Sequence, residues 1–138
     1  MALVVDSGVL YATLDARDAE HDSCTSLLQE AREPRVVPAP VLTEVDWLCA
    51  QASTERFGPV LEQIGFGALV VENLLPEDYR RALQLLEIYA DLRVGFVDAA
   101  VLAIVERLRE PKLATLDHRH FAVMRPRHVE ALELLPLS

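Results

Sequence analysis

Four acidic residues stand at positions where their carboxylates could act together. Asp98 is the only polar residue in the first ten positions of the apolar stretch 95–108, which predicts a central helix. A carboxylate buried in such a helix needs hydrogen bonds, a partner cation or a metal ion, because burial disfavours its charged form. The alternative is that Asp98 only caps the first turn of its helix. The placement of three further acids favours the first interpretation: Asp6, Glu44 and Asp117.

The elements predicted around these acids bring them to one edge of a sheet. Asp6 and Asp117 each follow a short apolar run that predicts a strand, while Glu44 lies in the first turns of a predicted helix. In a right-handed α/β fold, the carboxyl ends of strands and the starts of the following helices gather on the same edge. The alternatives are a capping role for Asp6 or Ser7 and a solvated position for Glu44.

Four carboxylates at one edge would repel one another strongly without a cation between them. The chain has no Cys-x-x-Cys pair and no strong histidine motif, so oxygen ligands favour Mg²⁺ or Mn²⁺ over zinc. Cys24 and Cys49 are too few and too far apart for a disulfide framework, and we predict that both are buried. Other sheet-edge chemistries lack their signatures, because there is no Asp-x-Asp after the first strand, no glycine-rich phosphate loop and no dinucleotide fingerprint.

Strands alternate with helices along the chain, which predicts an α/β sandwich. Its sheet is expected to be mainly parallel, with four to five short strands and helices on both faces. One domain is expected over residues 1–138. The predicted strands lie at 2–5, 35–37, 68–71, 113–115 and within 131–135. The predicted helices lie from 9 onward and at 18–31, 41–52, 55–64 with a cap at 53–55, 76–89 and 95–108. The apolar face of the 76–89 helix is predicted to be formed by Tyr79, Ala82, Leu83, Leu86 and Ala90, and a turn is expected at 38–40.

Composition excludes several classes of protein. An apolar content of 51% excludes intrinsic disorder, and no apolar run reaches the length of a membrane span. The N-terminus has no basic segment and no small-residue cleavage site, so we expect no signal peptide and a cytoplasmic location.

The charge of the chain is unevenly distributed. The net charge of −9 argues against non-specific binding to nucleic acid. Residues 1–79 hold four basic and fourteen acidic side chains, whereas residues 80–138 hold nine basic and eight acidic ones. A phosphate-facing surface should therefore use arginines of the second part, for which the candidates are Arg80, Arg81, Arg93, Arg119, Arg125 and Arg127.

The segments around the four acids resemble a known family. They read Val-Val-Asp-Ser at 4–7, Leu-Thr-Glu-Val at 42–45, Phe-Val-Asp-Ala at 96–99 and Leu-Ala-Thr-Leu-Asp at 113–117. Together they resemble the four motifs of PIN-domain nucleases, and in length and order those of VapC-type toxins from toxin–antitoxin pairs. The resemblance covers essentially the whole chain.

The resemblance implies a PIN-like α/β/α sandwich and a metal-dependent endoribonuclease that hydrolyses RNA phosphodiester bonds. The residues implied to be catalytic and to bind Mg²⁺, with Mn²⁺ as a substitute, are Asp6, Glu44, Asp98 and Asp117. Ser7 and Thr115 stand where the family usually keeps a supporting hydroxyl, which can orient a carboxylate or a water.

The sequence departs from the family pattern at two positions. Gly8 stands where many relatives carry a polar residue, and His120 where many carry another acid, so we do not expect a five-carboxylate site. His118, His120 and Arg119, with Arg93, are candidates for contacting RNA. The alternative for the two histidines is an exposed polar turn.

The resemblance also implies partners. We expect a cognate antitoxin whose apolar segment lies in a groove between helices and delivers a basic side chain to the acids. Trp47 is either a core residue or part of that surface. We further expect an RNA substrate with a structured loop, a homodimer and no membrane. The alternatives are a catalytically silent PIN-like binding module and, less favoured because the chain lacks a basic excess, a flap-type DNA nuclease.

Overall fold

The computed structural model describes residues 1–52 and 57–137, and within them the strands form one parallel sheet. The order across the sheet is β3-β2-β1-β4-β5, and each neighbouring pair is parallel. The predicted mainly parallel sheet of short strands is confirmed. Its strands are β1 (Leu3–Val5), β2 (Arg35–Pro38), β3 (Leu69–Glu72), β4 (Lys112–Ala114) and β5 (Glu133–Leu135).

Helices cover both faces of this sheet. Alternate side chains of a strand point to opposite faces, and all three residues of the central strand β1 are buried, so neither face is open to water there. In the described part of the chain, no helix is both long enough and apolar enough to cross a bilayer. The helices are α1 (Ser7–Leu14), α2 (His21–Glu30), α3 (Ala39–Gln51), α4 (Gly58–Gly65), α5 (Pro76–Ile88), α6 (Phe96–Leu108) and α7 (His118–Val123), with a 3₁₀ turn at Ala90–Leu92.

Helix α6 is the central helix that the sequence predicted. Seven consecutive residues, from Ala99 to Val105, are buried, so every side of this segment contacts other elements. The helix packs against both α3 and α5. It ends where Arg109 adopts a left-handed conformation. Asp98 therefore lies in the first turn of α6, directly before its fully buried segment. Both cysteines are buried, as predicted.

The predicted turn at 38–40 is wrong, and so is the alternative of an exposed polar turn at 118–120. Instead of a turn at 38–40, β2 runs through Pro38 and α3 begins at the next residue, with Pro40 in the first helical turn, where its missing amide hydrogen is not needed. Instead of a polar turn at 118–120, the chain forms α7. This short helix is fixed by a side-chain cap from Asp117 and by the burial of Phe121.

The predicted apolar face of α5 is right at Ala82, which is buried, but wrong at two other positions. Tyr79 and Leu83 are 56% and 58% exposed, and the buried side is formed by Asp78, Ala82 and Leu85. Asp78 can be buried because Arg107 of α6 pairs with its carboxylate at 3.0 Å. The predicted cap at 53–55 lies outside the described residues.

Candidate metal centre

Asp6 lies at the carboxyl end of β1 and caps α1. One carboxylate oxygen accepts a hydrogen bond from the Ser7 backbone amide and the other accepts from the Thr115 hydroxyl, both at 2.8 Å. The Asp6 amide donates to the Ala114 carbonyl, also at 2.8 Å, which ties the end of β1 to β4. Asp6 therefore serves as a cap and also forms a tertiary hydrogen bond with Thr115, and the residue is only 5% exposed.

The environment of Asp6 raises its pKa to about 7. Burial is the main cause, and the charges of Asp98 and Glu44 raise the pKa further, while the hydrogen bonds from Thr115 and Ser7 lower it. Asp6 therefore shares an acidic environment with Asp98 and Glu44. A buried acid beside two others is poised to lose its proton when a cation binds.

Asp98 lies in the first turn of α6 and faces the same region. Burial raises its pKa, and so do the carboxylates of Asp117 and Glu44, whereas His120 lowers it. Its hydrogen-bonding partner is His120, whose Nδ1 lies 3.2 Å from Oδ2. Among the described residues, no backbone amide donates to Asp98, so the capping alternative is not supported.

Asp117 completes the acidic group from the start of α7. Its Oδ1 accepts from the His120 backbone amide at 3.1 Å, and its Oδ2 lies 2.9 Å from His120 Nδ1. The Asp117 amide donates to Thr115 Oγ1 at 3.0 Å, and the same hydroxyl donates to Asp6. The buried Thr115 hydroxyl thus links the two acids that follow β1 and β4.

The two histidines of α7 lie in different environments. His118 Nε2 bonds the Thr115 carbonyl oxygen at 3.1 Å, which directs the ring to its own backbone turn. His120 lies among the carboxylates and also bonds the Leu92 carbonyl oxygen through Nε2, at 3.1 Å. The i, i+3 spacing from Asp117 to His120 would have signalled this contact, had the segment been predicted as a helix.

The donors in this region fit a divalent cation. Asp98, Asp117 and His120 each offer a ligand atom, and these atoms lie within 4.8 Å of one another. Asp6 and Glu44 are not part of this group of three, but the charge of Asp98 acts on Asp6, and that of Glu44 acts on both Asp6 and Asp98. The set is composed mostly of oxygen atoms, with one imidazole and no thiolate, which suits a hard or borderline ion.

Ser7 and the candidate arginines lie around the acids. The Ser7 hydroxyl oxygen is buried and has no hydrogen-bond partner among residues 1–52 and 57–137. Arg93 and Arg119 are exposed, and within the same ranges neither forms an ion pair. Arg93 follows Leu92, whose carbonyl oxygen bonds His120, and Arg119 directly precedes His120, so both arginines are next in sequence to residues that contact the acidic group or belong to it.

An apolar groove begins beside Glu44. It encloses about 720 Å³ between α3, α5 and the start of α6. Three aromatic side chains line it, and Trp47 is 59% exposed, so its assignment to the core is wrong. The rings of Tyr79 and Phe96 stack at 6.3 Å with 9° between their planes. Of the three aromatic residues, only Trp47 was identified from the sequence as a possible surface residue.

This chain matches a known protein family and a curated relative. The family model for the PIN domain matches residues 3–125. A curated relative, Ribonuclease VapC26 of Mycobacterium tuberculosis, is 29% identical over 125 residues, which are 90% of this chain and 93% of the relative.

Solved structures share the fold. VapC20 of M. tuberculosis, described as a sarcin-ricin loop cleaving toxin, has a TM-score of 0.72 at 20% identity and covers 80% of this chain and 86% of its own. VapBC2 of Rickettsia felis, solved bound to a DNA fragment from the promoter, has a TM-score of 0.69 at 16% identity and covers 99% of this chain and 100% of its own.

Proposed function

This chain belongs to the PIN domain family, and we propose that it is a divalent-metal-dependent endoribonuclease that hydrolyses RNA phosphodiester bonds as the toxin of a type II toxin–antitoxin pair. The observation that carries the proposal is the group of Asp98, Asp117 and His120, whose ligand atoms lie within 4.8 Å of one another, with the buried Asp6 linked to Asp117 through the Thr115 hydroxyl. Burial and the charges of neighbouring acids raise the pKa of both Asp6 and Asp98. Such an arrangement disfavours the metal-free charged state and favours cation binding. The relative named as a ribonuclease supports the reaction type.

The residues of the site divide into ion-binding and supporting groups. When bound, Mg²⁺ or Mn²⁺ supplies a water of lowered pKa and stabilises charge on phosphate oxygens. Thr115 orients Asp6 and positions the Asp117 amide. The unpartnered Ser7 hydroxyl is placed to orient a carboxylate or a water. The side chains proposed to hold the ion are Asp6, Glu44, Asp98 and Asp117.

The proposed substrate is a structured RNA loop. The structural neighbour VapC20 is described as cleaving the sarcin-ricin loop, and loops present unstacked bases that a protein can read. Arg93 and Arg119 are proposed to contact phosphates, because both are exposed next to the acids. His118 and His120 are not proposed to contact RNA, since both rings bond protein atoms. We also propose that the chain forms a single domain over residues 1–138, that it assembles as a homodimer, and that it acts in the cytoplasm.

The proposed antitoxin occupies the aromatic groove. The groove begins at Glu44, so an apolar segment lying against Trp47 would carry a basic side chain to the acids. A structural neighbour is itself a toxin–antitoxin complex.

We expect Trp47→Asp to abolish inhibition by the antitoxin encoded beside the gene while RNA cleavage persists. The measurement is an RNA cleavage assay to which the antitoxin is added. Replacing the exposed Asp46 by Asn is the matched control. If the antitoxin inhibits RNA cleavage by Trp47→Asp as strongly as cleavage by the wild type, the groove is not its binding site.

Cleavage by the purified chain tests the proposed reaction. A structured RNA and a DNA hairpin of the same sequence are incubated with Mg²⁺, with Mn²⁺ or with a chelator. We expect internal cuts in the RNA only, and only with metal. Metal-independent cleavage contradicts the mechanism. Intact RNA in all conditions overturns the ribonuclease and supports the silent binding module, whereas cleavage of DNA supports the flap-type nuclease.

A further inference from the structure

We propose that His120, through Nδ1, is a ligand of the metal ion held by Asp98 and Asp117, and that this nitrogen shifts the preference of the site from Mg²⁺ toward Mn²⁺. The inference rests on the proposed metal-dependent function and concerns the identity of one ligand. It assigns to His120 a role different from the RNA contact that the sequence suggested.

The ring of His120 is oriented by its other nitrogen. Nε2 lies 3.1 Å from the Leu92 carbonyl oxygen, which can only accept, so Nε2 carries a hydrogen. Metal-bound histidines usually donate their second ring N–H to a carbonyl or carboxylate, which fixes the tautomer and aims the other nitrogen at the ion. The contact with Leu92 is therefore the supporting contact that a ligand at Nδ1 requires.

The surroundings of Nδ1 require positive charge. With Nε2 protonated, a neutral ring presents a lone pair at Nδ1, and this lone pair faces Asp117 Oδ2 at 2.9 Å and Asp98 Oδ2 at 3.2 Å. Three electron-rich atoms remain this close only when a proton or a metal ion lies among them. Two ligand atoms at right angles on an ion with bonds of about 2.1 Å are about 3.0 Å apart, so both distances fit ligation.

The other contacts of Asp117 leave its Oδ2 available to bind an ion beside His120 Nδ1. Its Oδ1 accepts from the His120 backbone amide, so only Oδ2 faces the ring. The side chains of Asp98, Asp117 and His120 are between 20% and 34% exposed, which gives an ion access from solvent.

A nitrogen ligand changes which ion the site prefers. Mg²⁺ takes oxygen ligands almost exclusively, whereas imidazole is a regular ligand of transition-metal ions. Replacing His120 by Asp restores an all-carboxylate set while keeping a side chain that can bind an ion. The preference for Mn²⁺ over Mg²⁺ should therefore fall in His120→Asp without loss of the site.

Pulsed electron paramagnetic resonance of Mn²⁺ bound to the full-length chain, without RNA, tests the assignment. We expect a nitrogen coupling that changes when histidine is labelled with ¹⁵N in the wild-type protein. The coupling should vanish in His120→Asp and persist in the matched control His118→Asn. In competition titrations, His120→Asp should lower the Mn²⁺ to Mg²⁺ affinity ratio about 10-fold.

The outcomes separate this inference from the proposed function. Mn²⁺ that binds the wild type without a histidine nitrogen coupling overturns the role of His120 and leaves the metal-dependent nuclease intact. A coupling lost in His118→Asn instead of His120→Asp also overturns it. Absence of Mn²⁺ binding by the wild type overturns both. If His120→Asp does not fold, the ¹⁵N-labelled wild type still shows whether a histidine binds the ion, and a coupling that persists in His118→Asn excludes the other histidine of α7.

Discussion

Asp6 has a pKa of about 7 because the protein buries its carboxyl beside other acids. Its usual value is 3.8, so between about pH 4 and pH 7 the folded protein binds a proton that the unfolded chain has lost. The stability of the metal-free fold therefore falls as pH rises through this range and stays low above it. The difference corresponds to roughly 4 kcal/mol, an upper estimate of what the charged Asp6 costs.

Asp6→Asn is accordingly expected to stabilise the metal-free protein at pH 8 and to leave it nearly unchanged at pH 4. Asn cannot ionise, so the penalty for the charged form is removed, by up to roughly 4 kcal/mol. Urea unfolding at both pH values in the presence of a chelator measures the effect. Replacing the exposed Asp22 by Asn is the control and should change neither value. Equal effects of Asp6→Asn at the two pH values contradict the raised pKa.

Individual residues of the site could be predicted to different extents. Asp98 could be identified from sequence because a single acid in an apolar helix is costly to bury unless a cation or hydrogen bonds compensate its charge. His120 could not be placed, because a six-residue helix gives no periodic signal and its position depends on contacts with Asp98 and Leu92 that are distant in sequence. Tyr79 was misplaced because the buried ion pair of Asp78 turns α5 away from its most apolar side.

At the scale of elements, the ends of β1 and β4 and the start of α6 position the site. Parallel neighbours place the residues after β1 and β4 side by side, and this followed from the alternation of strands and helices. The capped start of α7 then adds Asp117 and His120. The limits of short elements depend on caps and tertiary contacts, which is why β2 and α3 occupy the segment predicted as a turn and α7 forms where a polar turn was the alternative.

The ion pair between α5 and α6 is expected to stabilise the packing of α6, the helix that carries Asp98. Arg107 contacts Asp78, which is 2% exposed, and also Glu72 at 3.0 Å. Arg107→Ala should lower the free energy of unfolding by roughly 3 kcal/mol, because it leaves a buried carboxylate unpaired.

Urea unfolding of Arg107→Ala checks this prediction, with Arg80→Ala as the control. Arg80 is exposed on α5 and, in the described ranges, forms no ion pair. Arg80→Ala should lie within about 0.5 kcal/mol of the wild type. A similar small effect of Arg107→Ala would show that the pair adds little.

At the scale of the whole molecule, the net charge of −9 opposes the approach of RNA. Two bound divalent ions would bring the charge to −9 + 4 = −5, so long-range repulsion persists. Affinity must then come from the metal site and a few arginines of the second part of the chain. With few phosphates neutralised, cleavage should depend only weakly on salt concentration.

Arginine substitutions test this distribution of charge. Arg93→Ala and Arg119→Ala should weaken RNA binding more than Arg17→Ala and Arg32→Ala, which lie in the acidic part of the chain and serve as controls. All four arginines lie at least partly exposed, so the fold should tolerate each change. Cleavage of one RNA across a salt series measures the effect. If cleavage depends steeply on salt, or if both pairs of variants lose the same amount of activity, RNA does not bind mainly through arginines of the second part of the chain.

The most direct test of metal-dependent cleavage at the acidic cluster is single-turnover RNA cleavage by Asp98→Asn with Mn²⁺. The variant removes one ligand charge and relieves repulsion, so the metal-free fold should be no less stable. Cleavage should fall roughly 100-fold or more, because charge stabilisation in the transition state is lost. Asp22→Asn should cleave at the wild-type rate. Cleavage by Asp98→Asn at the wild-type rate, or unfolding of this variant without metal, would contradict the account.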